Sequence, residues 1–276
     1  MASVKSSRKL SGWQYSAGRA APFKADVAIE QEFPIFVNGK QLVIPSITPN
    51  LLKEFAMGYL FGQGIINSLE EVASLEILNN TAHVTLKDRR KTLTDAAKTN
   101  YRIVSGGGKS IYFPEADLSE IKSDLVISKR TLFSAMNQLF KNALLYSETE
   151  GVHATGLFNT RASPVCIVED IGRHNTLDKI IGYTLLHKID CSRLFLVSTG
   201  RMASEMVTKI CRSGIPVVAT RTAVTNKGLE TAKKCGLTIA GFVRTIGSKA
   251  ITDASARTPK KNSMKIYCGA ERVRSA

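Results

Sequence analysis

Between Leu194 and Val243 the chain repeats one pattern that few folds accommodate. Three short apolar runs, at 194–198, 215–219 and 237–243, alternate with segments of helical length at 200–211 and 225–235. Short β-branched runs bounded by Gly and Pro read as buried strands, and the segments between them carry apolar residues at helical spacing. Strand, helix, strand, helix, strand with short connections predicts an α/β fold with a right-handed, mainly parallel sheet. Ligands bind such sheets at the carboxyl ends of the strands. Here those ends carry Ser198, Thr199, Gly200 and Arg201, then Thr220, Arg221 and Thr222, then Arg244. Small hydroxyls, a glycine and arginines at successive strand tips make a phosphate cradle.

A second polar concentration lies upstream. Glu169, Asp170, Arg173, His174, Asp178 and Lys179 surround Gly172 and Asn175, after an apolar run at 164–168. Leu177, Ile180, Ile181, Leu185 and Leu186 then recur at helical spacing. The cluster therefore sits where a strand ends and a helix begins. Two readings stand: helix capping with surface ion pairs, or a grip on a polar ligand. His153, in a polar turn between Gly151 and Gly156, is a site candidate. His187 reads as a helix C-cap and His83 as a surface strand residue.

The first half reads as smaller and richer in β-structure. Strands at 26–48 include an Asn38-Gly39 hairpin turn, and Asn79-Asn80 joins a second pair. Thr48-Pro49-Asn50 opens a helix carrying Phe55, Tyr59 and Leu60, and Ser128 caps a long helix through Leu144. Residues 87–109 are basic and end in Ser105-Gly106-Gly107-Gly108-Lys109-Ser110. A phosphate loop would need Gly where Ile103 stands, so that motif fails; a linker and a ligand-approaching turn both remain. The division expected is 1–125 and 126–276, with a polar loop at 247–263 and a last strand at 264–268 that is free to pack on the first domain.

No run of 18 apolar residues occurs, so no membrane span is expected. The first 24 residues carry Lys5, Arg8, Lys9, Arg19 and Lys24 without an acid and without an apolar core, which reads as a flexible basic arm rather than a secretory signal. Five scattered cysteines without a CxxC pair point to a reducing compartment. A net charge of +15 favours a polyanionic ligand, but no nucleic-acid-binding motif accompanies it.

The ordered motifs resemble those of the FdhD family of formate dehydrogenase accessory sulfur carriers. They are Thr149–Ala154, Glu169–Lys179, Ser198–Arg201 with Glu205-Met206, Gly214–Ala223, Gly241-Phe242-Val243-Arg244 and Ile266–Arg272. The resemblance implies a cytidine-deaminase-like three-layer αβα domain beside a smaller β-containing α+β domain. It also implies a cytoplasmic role in molybdenum cofactor biosynthesis. A cysteine desulfurase would supply a persulfide, and a sulfurtransferase step would pass the sulfur to the bis-guanine-dinucleotide molybdenum (or tungsten) cofactor, the bound substrate, before formate dehydrogenase receives it. The implied cofactor-binding residues are His153, Asp170, Arg173, His174, Thr199, Gly200, Arg201, Arg221, Thr222, Phe242, Val243 and Arg244. A two-fold homodimer is the expected assembly. The family carries its sulfur on a CxxC in a glycine-rich loop, which corresponds here to Ser105–Ser110 and has no cysteine. A thiolate is the required nucleophile, so Cys268 is the substitute to test, and the alternative is a non-catalytic cofactor-binding chaperone. No zinc is expected, since the H-x-E…P-C-x-x-C signature is missing.

Overall fold

Short-range turn chemistry builds the first half of the chain. The structure, a computed structural model, describes residues 5–89, 101–103, 109–111, 118–246 and 261–275. Ser105, Gly106, Gly107 and Gly108, and most of the polar loop expected at 247–263, lie outside the described residues. Strands β1 (Ser7–Ser16) and β2 (Arg19–Ala28) form an antiparallel hairpin in unbroken register. This corrects the expectation of a flexible arm: Ala17 and Gly18 both take positive φ and close a tight turn. β3 (Gln31–Glu32) pairs with β6 (Ser46–Ile47). β4 (Ile35–Val37) and β5 (Lys40–Val43) join through Asn38 and Gly39, at φ +49° and +77°, as their Asn-Gly sequence predicts. Helix α1 (Leu52–Gly62) follows, then β7 (Val72–Leu78) and β8 (Thr81–Leu86), which complete a sheet of order β5-β4-β8-β7. β9 (Tyr101–Ile103) and β10 (Lys109–Ile111) pair with each other.

The second half begins with β11 (Ile127–Ser128). Helix α2 (Lys129–Asn142) is capped by Ser128 Oγ, which accepts from Thr131 N at 3.0 Å. The expected long helix is broken at Ala143, whose ψ of +80° leaves the helical region, and α3 (Leu144–Thr149) follows as a separate helix. Then come β12 (His153–Phe158), β13 (Pro164–Asp170), α4 (Arg173–Leu186), β14 (Phe195–Ser198), α5 (Ser204–Arg212), β15 (Val217–Thr220), α6 (Asn226–Lys234), β16 (Thr238–Arg244), β17 (Ser263–Cys268) and β18 (Val273–Arg274). The central sheet has the order β13-β12-β14-β15-β16-β17. Only β14, β15 and β16 run parallel; β12, β13 and β17 are antiparallel to their neighbours, so the sheet is mixed. A tight turn joins β12 to β13, and such a connection forces antiparallel pairing. The last long strand, β17, extends this sheet rather than packing on the first domain.

Alternation along the strands makes three layers. Phe158, Phe195, Val197, Val217 and Ala219 face α2 and α3. Leu157, Leu196, Val218 and Ile239 face the side covered by α4, α5 and α6. Helix α1 packs on the outside of α4, and one apolar cluster runs from Phe33 to Ile239 across position 125. The two helices cross backbone to backbone: a Cβ on Gly58 would lie 1.7 Å from the Asp178 carbonyl oxygen, and one on Gly182 would lie 1.7 Å from that of Glu54. Glycine weakens a helix by roughly 0.5–1 kcal/mol relative to alanine, a cost offset here by a contact no other residue permits.

Candidate functional site

The polar cluster after β13 serves largely as scaffold. Asp170 and Lys179 form an ion pair of 2.6 Å with both side chains fully buried. Asp170 Oδ2 also accepts from Thr48 N (3.1 Å) and Thr48 Oγ1 (2.8 Å), and Oδ1 accepts from Gly172 N (3.0 Å) and Asn175 Nδ2 (2.7 Å). Lys179 Nζ further donates to the Thr48 carbonyl and to Asn50 Oδ1. The carboxylate of Glu169 accepts from Leu145 N and Tyr146 N, at 3.2 and 2.6 Å, and so caps α3. Asp178 meets Lys209 of α5 at 2.6 Å. Burial pushes Asp178 up and Lys179 down from their ordinary pKa values, and the partner charge opposes each shift. Capping and ion pairing are therefore both present, but inside the protein rather than on its surface.

Above this scaffold lies the carboxyl edge of β13, β14, β15 and β16. Thr199 Oγ1 contacts His153 Nδ1 (3.1 Å) and accepts from Ala154 N (3.1 Å). A ladder of buried hydroxyls, Thr176, Thr155 and Ser198, links α4, β12 and β14 at 2.8 and 3.0 Å. Ser198 Oγ accepts from Gly200 N, and Thr220 Oγ1 donates to the Gly200 carbonyl, which fixes the loop leading to Arg201. A Cβ on Gly200 would lie 2.9 Å from Arg173 Cβ, so the arginine stem lies directly against that loop. Burial and then Arg173 depress the His153 pKa. Burial, then Lys209 and Arg173, bring His174 down to about 3. The buried Nε2 of His174 has no hydrogen-bond partner among the described residues. Burial, then the Arg201 charge, lower Arg173 from its ordinary value.

The other half of the edge joins through Arg221, whose N–H donates to the Ser198 carbonyl at 3.0 Å. Its guanidinium lies over the Phe140 ring at 5.1 Å, and its buried Nη1 has no hydrogen-bond partner among the described residues. Arg244 Nη1 donates to the Arg221 carbonyl, and burial followed by the Arg221 charge lowers the Arg244 pKa. Phe242 holds a left-handed φ of +52° at an irregularity of β16, with Arg244 and Lys265 near its ring at 5.7 and 5.2 Å. A bulky residue in that region costs about 1–3 kcal/mol, a strain that clusters at ligand sites. Its N–H donates to the Thr222 carbonyl.

Of the residues expected at the site, His153, Arg173, His174, Thr199, Gly200 and Arg201 thus form one wall, and Arg221, Thr222, Phe242 and Arg244 form the other. Asp170 lies beneath them, and Val243 is wholly buried in the core, so neither side chain is exposed at the edge. Sequence reasoning missed Phe140, Lys265, Lys209 and Thr48. Lys209 left a signal, a lysine between Val207 and Ile210 on the buried face of α5; Thr48 left none.

Every cysteine is sheltered. Burial pushes Cys166 up to about 12 and Cys191 up to about 11, and Cys211, hydrogen-bonded to Cys235, is also raised. Cys268 pairs with Ile239 near the start of β16, whereas the arginine edge lies at its end, about 17 Å along the strand at the usual rise. Its Sγ donates to the Leu237 carbonyl at 3.1 Å, and burial raises its pKa. The structure therefore places Cys268 away from the arginine edge, with its thiol held in the protonated direction.

His174 should impose a pH dependence. Its folded pKa of about 3 lies below the ordinary 6.5, so on acidification the unfolded chain takes up a proton that the folded chain refuses. That contribution to stability is present above pH 6.5 and lost as pH falls toward 3. Urea unfolding should show His174→Asn losing less stability than the unsubstituted chain, by on the order of 2 kcal/mol, between about pH 6.5 and about pH 5. Parallel profiles would contradict the buried neutral imidazole.

A family model described as the FdhD/NarQ family matches residues 28–274. The chain is 34% identical to the Sulfur carrier protein FdhD of Sulfolobus acidocaldarius over 240 residues, 86% of this chain and 93% of that one. It is 32% identical to the Sulfur carrier protein FdhD of Bacillus pumilus over 250 residues, 88% of this chain and 93% of that one. A crystal structure described as a formate dehydrogenase accessory protein from Desulfotalea psychrophila superposes with a TM-score of 0.77 at 24% identity, covering 98% of this chain and 100% of that one.

Proposed function

Since the chain belongs to the FdhD/NarQ family, we propose that it is a cytoplasmic accessory protein of a molybdenum or tungsten formate dehydrogenase. Its substrate is the bis-guanine-dinucleotide cofactor, held at the arginine edge. The observation that carries this reading is two arginine pairs along the carboxyl edge of one sheet, Arg173 with Arg201 and Arg221 with Arg244, together with two buried nitrogens, Arg221 Nη1 and His174 Nε2, that lack a hydrogen-bond partner among the described residues. Like charges held together and partly desolvated favour an anion, and guanidinium groups match phosphate oxygens in geometry and charge. A neutral His174 adds an N–H donor if its Nε2 tautomer carries the proton. The mixed sheet with helices on both faces is read as the cytidine-deaminase-like layer.

Within this reading the protein binds and delivers cofactor as a chaperone. Its five thiols are buried or half-buried, and none is placed at the edge. The second reading, a carrier that takes persulfide from a cysteine desulfurase and passes it on by a sulfurtransferase step, is favoured by the names of the relatives. Incubation with a desulfurase and labelled cysteine separates the two. Label on any of the five cysteines sinks the chaperone reading.

Calorimetric titration with GDP tests the site itself. Arg221→Ala and Arg244→Ala should each weaken binding about 10-fold to 100-fold, the equivalent of a charged hydrogen bond lost. Unchanged affinity in both variants would place the ligand elsewhere.

A further inference from the structure

Arg221 is held in an uncommon way. It is half-buried, yet among the described residues its guanidinium makes no ion pair, and its buried Nη1 has no hydrogen-bond partner. Arg244 donates to its carbonyl and adds a second positive charge beside it. What faces the cation is the ring of Phe140, with 5.1 Å from Cζ to the centroid. An aromatic face attracts a cation through its quadrupole. A carboxylate in that place would attract it too, but would accept its N–H donors. The ring leaves the planar fork of donors open to a ligand.

Phe140 is itself mounted on the sheet. Its ring is backed by Tyr146 of α3, with centroids 5.8 Å apart and planes at 50°. Along one continuous helix, residues six apart point about 240° away from each other. The two rings meet because the helix breaks at Ala143. The N–H groups of Leu145 and Tyr146 donate to the Glu169 carboxylate on β13. Burial raises the Tyr146 pKa and the Arg221 charge opposes that rise, so Tyr146 and Arg221 share one neighbourhood. A chain of contacts therefore runs from Glu169 through Tyr146 and Phe140 to Arg221. Packing does not account for Phe140: the core face of α2 is made by Leu132, Ala135, Met136 and Leu139, all buried, whereas Phe140 stays half-exposed.

We propose that Phe140 is a positioning residue of the arginine edge: its ring holds the Arg221 guanidinium against the charge of Arg244 and leaves the guanidinium donors free for an anionic ligand. The inference rests on the reading of this edge as the site for a guanine dinucleotide.

Calorimetric titration of the full chain with GDP, arranged as a double-mutant cycle, tests it. Phe140→Leu keeps an apolar side chain and removes the ring, and should weaken GDP binding about 3-fold to 30-fold, the span of a cation–π contact. Phe140→Met, a second variant without a ring, should behave alike. Phe140→Tyr keeps the ring and should stay within about 2-fold of the unsubstituted chain. In an Arg221→Ala background, Phe140→Leu should cost nothing further. Melting followed by circular dichroism establishes that each variant is folded. An equal loss from Phe140→Leu with and without Arg221 marks a packing residue and overturns the proposal. So does a folded Phe140→Tyr chain that binds as poorly as Phe140→Leu, or a Phe140→Leu chain that binds normally while Arg221→Ala does not. If Arg221→Ala itself leaves GDP binding unchanged, the reading of the edge fails first and the proposal falls with it.

Discussion

Gly182→Ala is expected to destabilise the protein by about 4 kcal/mol or more, the range reserved for a backbone clash in a packed core. The new methyl carbon would lie 1.7 Å from the Glu54 carbonyl oxygen and 2.9 Å from Glu54 Cα. Both are main-chain atoms of α1, so no rotamer change makes room. Gly58→Ala meets Asp178 in the same way and should behave alike. Gly151→Ala is the control: its methyl would find neighbours no nearer than 3.7 Å, at a position without positive φ. Urea unfolding followed by circular dichroism compares them. If the Gly182 and Gly151 variants unfold at the same urea concentration, the two helices do not meet backbone to backbone.

The second large effect is expected at Lys179. Lys179→Met should cost about 3–5 kcal/mol, because it strands the Asp170 carboxylate without its counter-charge in a fully buried site. The double variant Lys179→Met with Asp170→Asn should recover part of that loss, since a neutral amide tolerates burial better than a lone charge. A double-mutant cycle reads the pair directly, and a coupling energy near zero would rule out the buried ion pair. The loss reaches the arginine edge as well. Asp170 accepts from Gly172 and Asn175 at the start of α4, the helix that begins with Arg173 and His174.

Much of the architecture could be read where short-range chemistry decides it. Asn38-Gly39 and Asn79-Asn80 adopt the positive φ angles their sequences suggest, Ser128 and Thr225 cap their helices, and the three parallel strands lie where apolar runs placed them. What stayed hidden depends on distant partners. The arm is rich in Ala and Ser with scattered aromatics, so no apolar alternation marks it as a ribbon. The direction of β17 depends on its pairing with β16 across residues 245–262, which no local pattern reports. The strand tips and the Glu169–Lys179 motif lie together at the carboxyl edge of one sheet. Their division of labour did not show, because Asp170 takes its partner from Thr48, 122 residues earlier. A carboxylate that grips a ligand and one that grips a lysine read identically in sequence.

The glycine crossing of α1 and α4 also bears on motion. Packed helices usually slide past one another by small shear displacements, using the side chains between them as a deformable layer. At this crossing two main chains touch with no side chain between them, so shear there has no deformable layer to use. Any movement of the β-rich half against the large sheet must therefore break that main-chain contact first.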